Sequence, residues 1–553
     1  MTANKSAVMP GKATTNVNAF EKRHSIITIV AVILVSSILL SKTTLFAARL
    51  NEPLYGNVFS TYNLTLVSST FFVIGCITSA LFSHVTNIWS MFDVLSLMYA
   101  FGPLLVLYEQ LFFIDYSPFL APHVIQASFA YPVYFLLGFE NTRLALAWAK
   151  QNGVGIQWWK IQIYAGLLSG LTFWCGKDEP FYSSTIYNVF SLAALAAFTS
   201  LLFKAKAFMR YPKKIQPSYS TLTIQLLVLF AMLYSLSSVP QFQEGLVESV
   251  HNSPERNQTI LARIESNTGW LSVFEEEERN IRLMRSGHSV IGGVFRETNE
   301  SVFGSFYFME AVHLCKYRPT GPKRALQIGL GVGVSAWSLI KNGVAVDVVE
   351  IDPQVYGYAR EFFDLPEPNQ VFLQDGREYI NHGEPAMYDY ILHDVFTGGS
   401  VPPTLFSHEA LLQMKRVLKT DGILALNFLG SDLHPYNLTM AHVTHTLKSV
   451  FPYVRCYAEG TKNEKGVQNF VYFASTKSIA FRTPREEEIH DSYLREDMLR
   501  RMHEMEVKLT YDPKEVTVLT DQNNLLVENQ LDSALEHWKA MRTLFPNEFW
   551  WNY

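Results

Sequence analysis

Seven apolar runs crowd the first 240 residues, near 26–46, 62–83, 89–112, 118–139, 157–175, 184–203 and 219–239. A bilayer core about 30 Å thick takes roughly 20 mostly apolar residues as one helix, and each run is near that length. Seven such runs in succession do not suit the core helices of a soluble protein, which are apolar on one face only. They predict an N-terminal α-helical transmembrane bundle of about seven spans over 25–240, after a tail at 1–24. Composition agrees: 48% of the 553 residues are hydrophobic and 17% charged, against about 25% charged in soluble proteins. The first run follows Lys22 and Arg23, and no clean small-residue cleavage site follows it. It reads as a signal anchor, in an integral, multi-pass membrane protein.

Loop charge sets the orientation. The tail (Lys5, Lys12, Lys22, Arg23), the fourth connection (Arg143, Lys150) and the sixth (Lys204, Lys206, Arg210, Lys213, Lys214) hold most of the cations. The N-terminus is therefore expected in the cytosol, and seven spans put the C-terminal half on the opposite side. Sequons at Asn257, Asn299 and Asn437 fit that side. The cytosolic origin of the nucleotide inferred below does not, so the side stays open. No polar pattern in the spans reads as an ion path, which favours anchoring over transport.

The last 300 residues have an ordinary globular composition. Short alternating segments between Ile264 and Phe295 predict a small β subdomain at 255–320. The main fold, 321–476, opens on a short apolar strand, Ala325 to Ile328. It runs into Gly329, Gly331 and Gly333, and a helical stretch follows. Strand, glycine loop and helix bring a backbone close to a nucleotide: glycine allows the tight turn and removes Cβ atoms that would block the ligand. A second apolar strand ends in Glu350-Ile-Asp352, 17 residues after Gly333. An acid at that place can accept both ribose hydroxyls. A third strand ends in Asp375-Gly376 and a fourth in Asp394. Three acids at successive strand ends converge on one crevice in an open α/β sheet. Each could instead cap the loop or helix that follows it.

The order of these motifs resembles the spermidine and spermine synthase family. The likeness covers roughly 260–475, and Leu519-Thr-Asp521 with Glu528 is similar to the tail of membrane-fused members. The resemblance implies a C-terminal α/β, Rossmann-like domain of class I methyltransferase type. It implies S-adenosylmethionine or its decarboxylated form as co-substrate and a small amine-like acceptor. Glu350 would hold the ribose hydroxyls, Asp375 with Gly376 the adenine, and Asp394 would be the base that deprotonates the acceptor. The departures are informative. The glycine-loop aspartate by which aminopropyltransferases bind the donor's amine is here Val332. The loop from Val395 to Pro403 lacks the second, polyamine-binding acid, and Thr268-Gly-Trp270 replaces the usual tyrosine and glutamine. Among relatives, loss of the glycine-loop acid accompanies methyl transfer, which is the favoured of the two reactions. Glu275 to Glu278 could compensate as a polyamine site but reads better as a solvated turn.

A net charge of −5 with no long basic stripe argues against nucleic acid. Cys76, Cys175, Cys315 and Cys456 form no CxxC pair, and His382, His393, His434, His442 and His445 form no zinc spacing, so no metal is expected. Residues 477–553 read as a helical extension; Thr483 to Lys508 is a charged, solvated helix, and the aromatic end from Phe545 suits either a membrane interface or packing on the domain. Oligomeric state stays open, a dimer included. The expected function is a membrane-anchored transferase. A non-catalytic nucleotide sensor and a transporter with a regulatory domain are the alternatives.

Overall fold

A computed structural model describes residues 13–82, 88–151, 191–200, four positions between 226 and 234, then 258–316, 320–396, 399–431, 438–458 and 468–551. The chain divides into two compact units, 1–50 with 61–241, and 51–60 with 242–553.

The first unit is helical: α1 (Ala13–Thr61, whose residues from 51 to 60 belong to the second unit), α2 (Leu64–Phe82), α3 (Ile88–Phe113), α4 (Ala121–Gln126) and α5 (Ala130–Gln151). Val30–Thr61, Leu64–Leu81 and Met91–Phe113 are long and apolar enough to cross a membrane. They overlap the first three predicted spans. The fourth, 118–139, is corrected: it falls on α4 and α5, broken at 127–129. Pro132 explains the break, since it has no N–H for the carbonyl of Ser128 and its ring would clash there. The runs at 157–175, most of 219–239 and the ends of 184–203 lie outside the described residues; Ser191–Ser200 is helical. Helices α2 and α5 meet backbone to backbone. A Cβ on Gly75 would lie 2.1 Å from the carbonyl oxygen of Phe135, and one on Gly138 equally close to that of Phe72. Small residues at such a crossing are what let two apolar helices approach.

The second unit opens with an antiparallel meander: β1 (Gln258–Ser266), β2 (Gly269–Glu276), β3 (Ile281–Ser286) and β4 (Ser289–Phe295). Of the four glutamates, Glu275 and Glu276 end β2 and Glu277 and Glu278 lie in the β2–β3 turn; Glu275 pairs with Arg282 and Arg296, and the buried Glu276 with Arg279. Helix α6 (Ser305–Glu310) leads to the main domain. Its elements alternate: β5 (Arg324–Ile328), α7 (Val334–Lys341), β6 (Ala345–Glu350), α8 (Pro353–Phe362), β7 (Gln370–Leu373), α9 (Gly376–His382), β8 (Tyr388–His393), α10 (His408–Val417), β9 (Leu418–Gly430), α11 (Leu438–Val450), β10 (Tyr453–Ala458) and β11 (Gln468–Ser475). With β12 (Glu506–Val507) at one edge, sheet order is β12-β10-β11-β9-β8-β5-β6-β7, parallel from β9 to β7, with β11 antiparallel to both its neighbours. This is an α/β methyltransferase-type sheet. Its central strands are mostly apolar because both faces are buried: Leu326, Ile328 and Val349 face one core, Ala325, Val346 and Val348 the other.

The charged segment after residue 483 departs from a solvated helix. It forms α12 (Glu486–Ile489), α13 (Tyr493–Arg501) and strand β12 (Glu506–Val507), which joins the sheet beside β10. Arg495 of α13 is buried and pairs with buried Glu310 at 2.8 Å. Helices α14 (Leu526–Leu544) and α15 (Asn547–Trp551) end the described chain. The aromatic end folds back: Trp550 is fully buried, and Arg285 donates to the carbonyls of Phe549 and Trp550.

Candidate active site

The parallel strand ends place the glycine loop beside Glu350 and Asp394, while Asp375 caps the helix after its strand. Gly329, Gly331 and Gly333 have φ of 75°, 54° and 84°, a region that favours glycine. Their closest neighbours are protein rather than open space. A Cβ on Gly329 would stand 2.0 Å from the carbonyl oxygen of Asp394, and one on Gly331 2.6 Å from that of Ile291 in β4. The small sheet thus backs the loop. Between these glycines Val332 is sealed, 3% exposed, against Gly292 of β4, whose Cβ would approach it to 2.6 Å.

Glu350, at the end of β6, is buried and accepts from the backbone N–H of Leu330 and of Asp352, both at 2.9 Å. Each oxygen takes one of these bonds, which leaves lone pairs on both. Burial pushes its carboxyl up to about 7. Asp375 is exposed, and its Oδ1 caps α9 by accepting from the N–H groups of Arg377 and Glu378 at 2.7 and 3.0 Å. Gly376 behind it is forced by packing, since a Cβ there would meet Ile328 at 2.7 Å.

Asp394 follows β8, its N–H bonded to the carbonyl of Ile328. Asn427 of β9 donates to its Oδ1 at 2.9 Å. Burial raises its carboxyl to about 6, and that hydrogen bond pulls the other way. Phe306, Gln327, Leu330, Val332, Gly333, Val334, Ser335 and Asp394 line one cleft. A carboxylate here, ionised at neutral pH and raised toward it, has the properties of a general base.

Sequence reasoning assigned no role to three further features. Asp352, fully buried, accepts from Ser266, from both the N–H and hydroxyl of Thr268, and from Gln354, so it ties the β1–β2 turn to the nucleotide strand. The replaced segment at 268 is thus a brace. Asp352→Ala is expected to destabilise the second unit by about 3 kcal/mol, since it strands several buried donors at once; thermal melting of the full chain reads this.

Gln327 and Asn427 are the second feature, taken up below. The third is α14, which holds the loop leaving Asp394. Gln530 bonds both backbone groups of Val401, Gly399 packs on Ala534, and the ring of Phe396 meets that of His537 at 5.3 Å. The preceding Asp521 pairs with Arg377 at 2.7 Å and accepts from Ser407, while Leu519 is fully buried. No three His, Cys, Asp or Glu side chains gather for a metal among the described residues.

Residues 305–481 match the family model of the spermine/spermidine synthase domain. An N-terminal histidine N-methyltransferase of Emericella nidulans is 34% identical over 360 residues, 59% of this chain and 64% of that protein. A polyamine aminopropyltransferase of Vibrio vulnificus is 37% identical over 137 residues, 24% of this chain and 44% of its own length. The chain therefore spans less than two thirds of either relative. A probable spermidine synthase of Corynebacterium glutamicum, known by crystal structure, superposes with a TM-score of 0.36 at 17% identity, over 46% of this chain and 98% of that one.

Proposed function

Because residues 305–481 carry a spermine/spermidine synthase domain, we propose that this chain is a membrane-anchored methyltransferase that acts on the amino-terminal histidine of a polypeptide. Val332 carries the reading. The glycine loop offers an apolar side chain, sealed at 3% exposure, where aminopropyl transfer needs a carboxylate for the donor's amine. The Emericella nidulans relative supports the acceptor. The loop after Asp394 supports it too: it has no acid for a dicationic polyamine.

The site fits S-adenosylmethionine. Glu350 keeps lone pairs for the ribose hydroxyls, and the exposed Asp375 has a second oxygen for the adenine edge. When bound, that co-substrate supplies a methyl on a sulfonium, so the protein's task is placement rather than covalent help. A neutral imidazole nitrogen attacks the methyl, the C–S bond breaks, and the thioether leaves. Asp394 takes the proton that the ring's other nitrogen then sheds. The apolar cleft wall of Phe306, Leu330 and Val334 keeps water from competing. Anchoring is by the apolar N-terminal helices, Val30–Thr61, Leu64–Leu81 and Met91–Phe113 among them.

The test uses the full chain in detergent. Calorimetry should show tighter binding of S-adenosylmethionine than of its decarboxylated form, and mass spectrometry should find one added methyl on a histidine-initiated peptide. Tighter binding of the decarboxylated form, with an aminopropyl product, would overturn the proposal. Extraction by alkaline carbonate would remove the membrane part of it.

A further inference from the structure

Two buried amide oxygens beside Asp394 lack partners. Gln327, 2% exposed, spends its Nε2 on the carbonyl of Gly329 at 2.6 Å, and its Oε1 accepts nothing. Asn427, 6% exposed, spends its Nδ2 on Asp394, and its Oδ1 likewise accepts nothing. A buried acceptor left empty has lost its hydration with nothing in return, so native proteins keep few of them. Two at one site call for a ligand with donors.

Their placement says which donors. Gln327 is on β5 and Asn427 on β9, the strands that flank β8, whose end carries Asp394. Register aligns Gln327 with Leu392, and His393 with Leu426. Side chains alternate across a sheet, so Gln327, Asp394 and Asn427 share one face. The two amides thus stand on the strands either side of the one that carries the carboxylate, Asn427 is hydrogen-bonded to it, and Gln327 and Asp394 line the same cleft. A primary ammonium brings three N–H donors and a positive charge; a backbone amide brings one donor and no charge.

We propose that Gln327 and Asn427, with the charge of Asp394 between them, seat the α-ammonium of the acceptor's first residue. This rests on the acceptor reading above. The amine and imidazole of a terminal histidine stand on one residue, so amine in the seat leaves the ring beside Asp394. An internal histidine has no ammonium to place there. The donor's amino-acid portion carries the same group, and the experiment separates the two sources.

Binding rather than turnover is the readout, in the full chain saturated with S-adenosylhomocysteine. The probes are a histidine-initiated tripeptide and its N-acetylated form. The free amine should bind about 10- to 100-fold more tightly, as charge-assisted bonds allow. Asn427→Leu should erase most of that preference with S-adenosylhomocysteine affinity unchanged, which also shows that the variant folds; Gln327→Leu, which also frees the Gly329 carbonyl of the glycine loop, should erase it when read at saturating S-adenosylhomocysteine. Equal binding of both probes by the unaltered chain overturns the seat. Variants that lose S-adenosylhomocysteine affinity while keeping the preference overturn the acceptor assignment and give the seat to the donor. Methylation of both probes equally would sink the seat and spare the enzyme reading; preferential binding without methylation would do the reverse.

Discussion

Asp394→Asn is expected to lower turnover on a histidine-initiated peptide by about 10³-fold, within the range that a positioned general base supplies. Asparagine has the same shape and can still accept the hydrogen bond that Asn427 gives at 2.9 Å. It cannot take a proton. Affinity for S-adenosylhomocysteine should stay within twofold, because Glu350 and the glycine loop stand on other strands. The pH profile adds a sign. The Asp394 carboxyl is raised to about 6 by burial, so the working carboxylate is lost as pH falls through 6, and the rate should fall with it. An acceptor imidazole also becomes inactive by protonation near its ordinary value of about 6.5. The unaltered chain should therefore show two ionisations on the acid side, and Asp394→Asn only the acceptor's. Asn427→Leu removes the hydrogen bond that favours the charged form, which raises the carboxyl and should move the acid limb to higher pH. Full activity in Asp394→Asn would take the base role away from Asp394.

The sheet and its acids were legible because parallel strands buried on both faces must be apolar along their length and must end at the ligand crevice. Ala325 to Ile328 and Val344 to Val349 announce themselves in that way. The cap role of Asp375 was legible only as an alternative, since a strand-end acid before a helix serves equally as cap or ligand contact. Gln327 and Asn427 were not legible. One polar residue in an apolar strand carries no sign of whether its amide oxygen is satisfied, which is a property of neighbours from other strands. The clasp between Gln530 and Val401 joins residues 129 positions apart, beyond any local pattern. The fourth apolar run misled because hydropathy averages over a window, whereas Pro132 breaks a helix at one position. The aromatic end stayed undecided for a similar reason: Phe549 and Trp550 suit a lipid interface and a protein core alike, and the carbonyl bonds to Arg285 decide for the core.

Gly329→Ala should cost far more than an alanine in a left-handed turn, and Gly343→Ala supplies the comparison. The two glycines have nearly the same φ, 75° and 77°. The conformational penalty of about 1–2 kcal/mol for an L residue is therefore common to both. Their surroundings differ: a Cβ on Gly343 meets nothing within 4 Å, while one on Gly329 stands 2.0 Å from the carbonyl oxygen of Asp394. No side-chain rotation relieves contact with backbone, so the loop or the end of β8 must shift. Either shift disturbs the site. The loop carries the Leu330 N–H that orients Glu350 at 2.9 Å, and Asp394 itself is anchored by its N–H to Ile328. Gly343→Ala should lower thermal stability slightly and leave S-adenosylhomocysteine affinity intact. Gly329→Ala should lower stability by several kcal/mol and weaken that affinity at least tenfold. The same small loss in both variants, with affinity kept, would mean that Asp394 does not pack against the glycine loop, and the base would then no longer stand beside the donor.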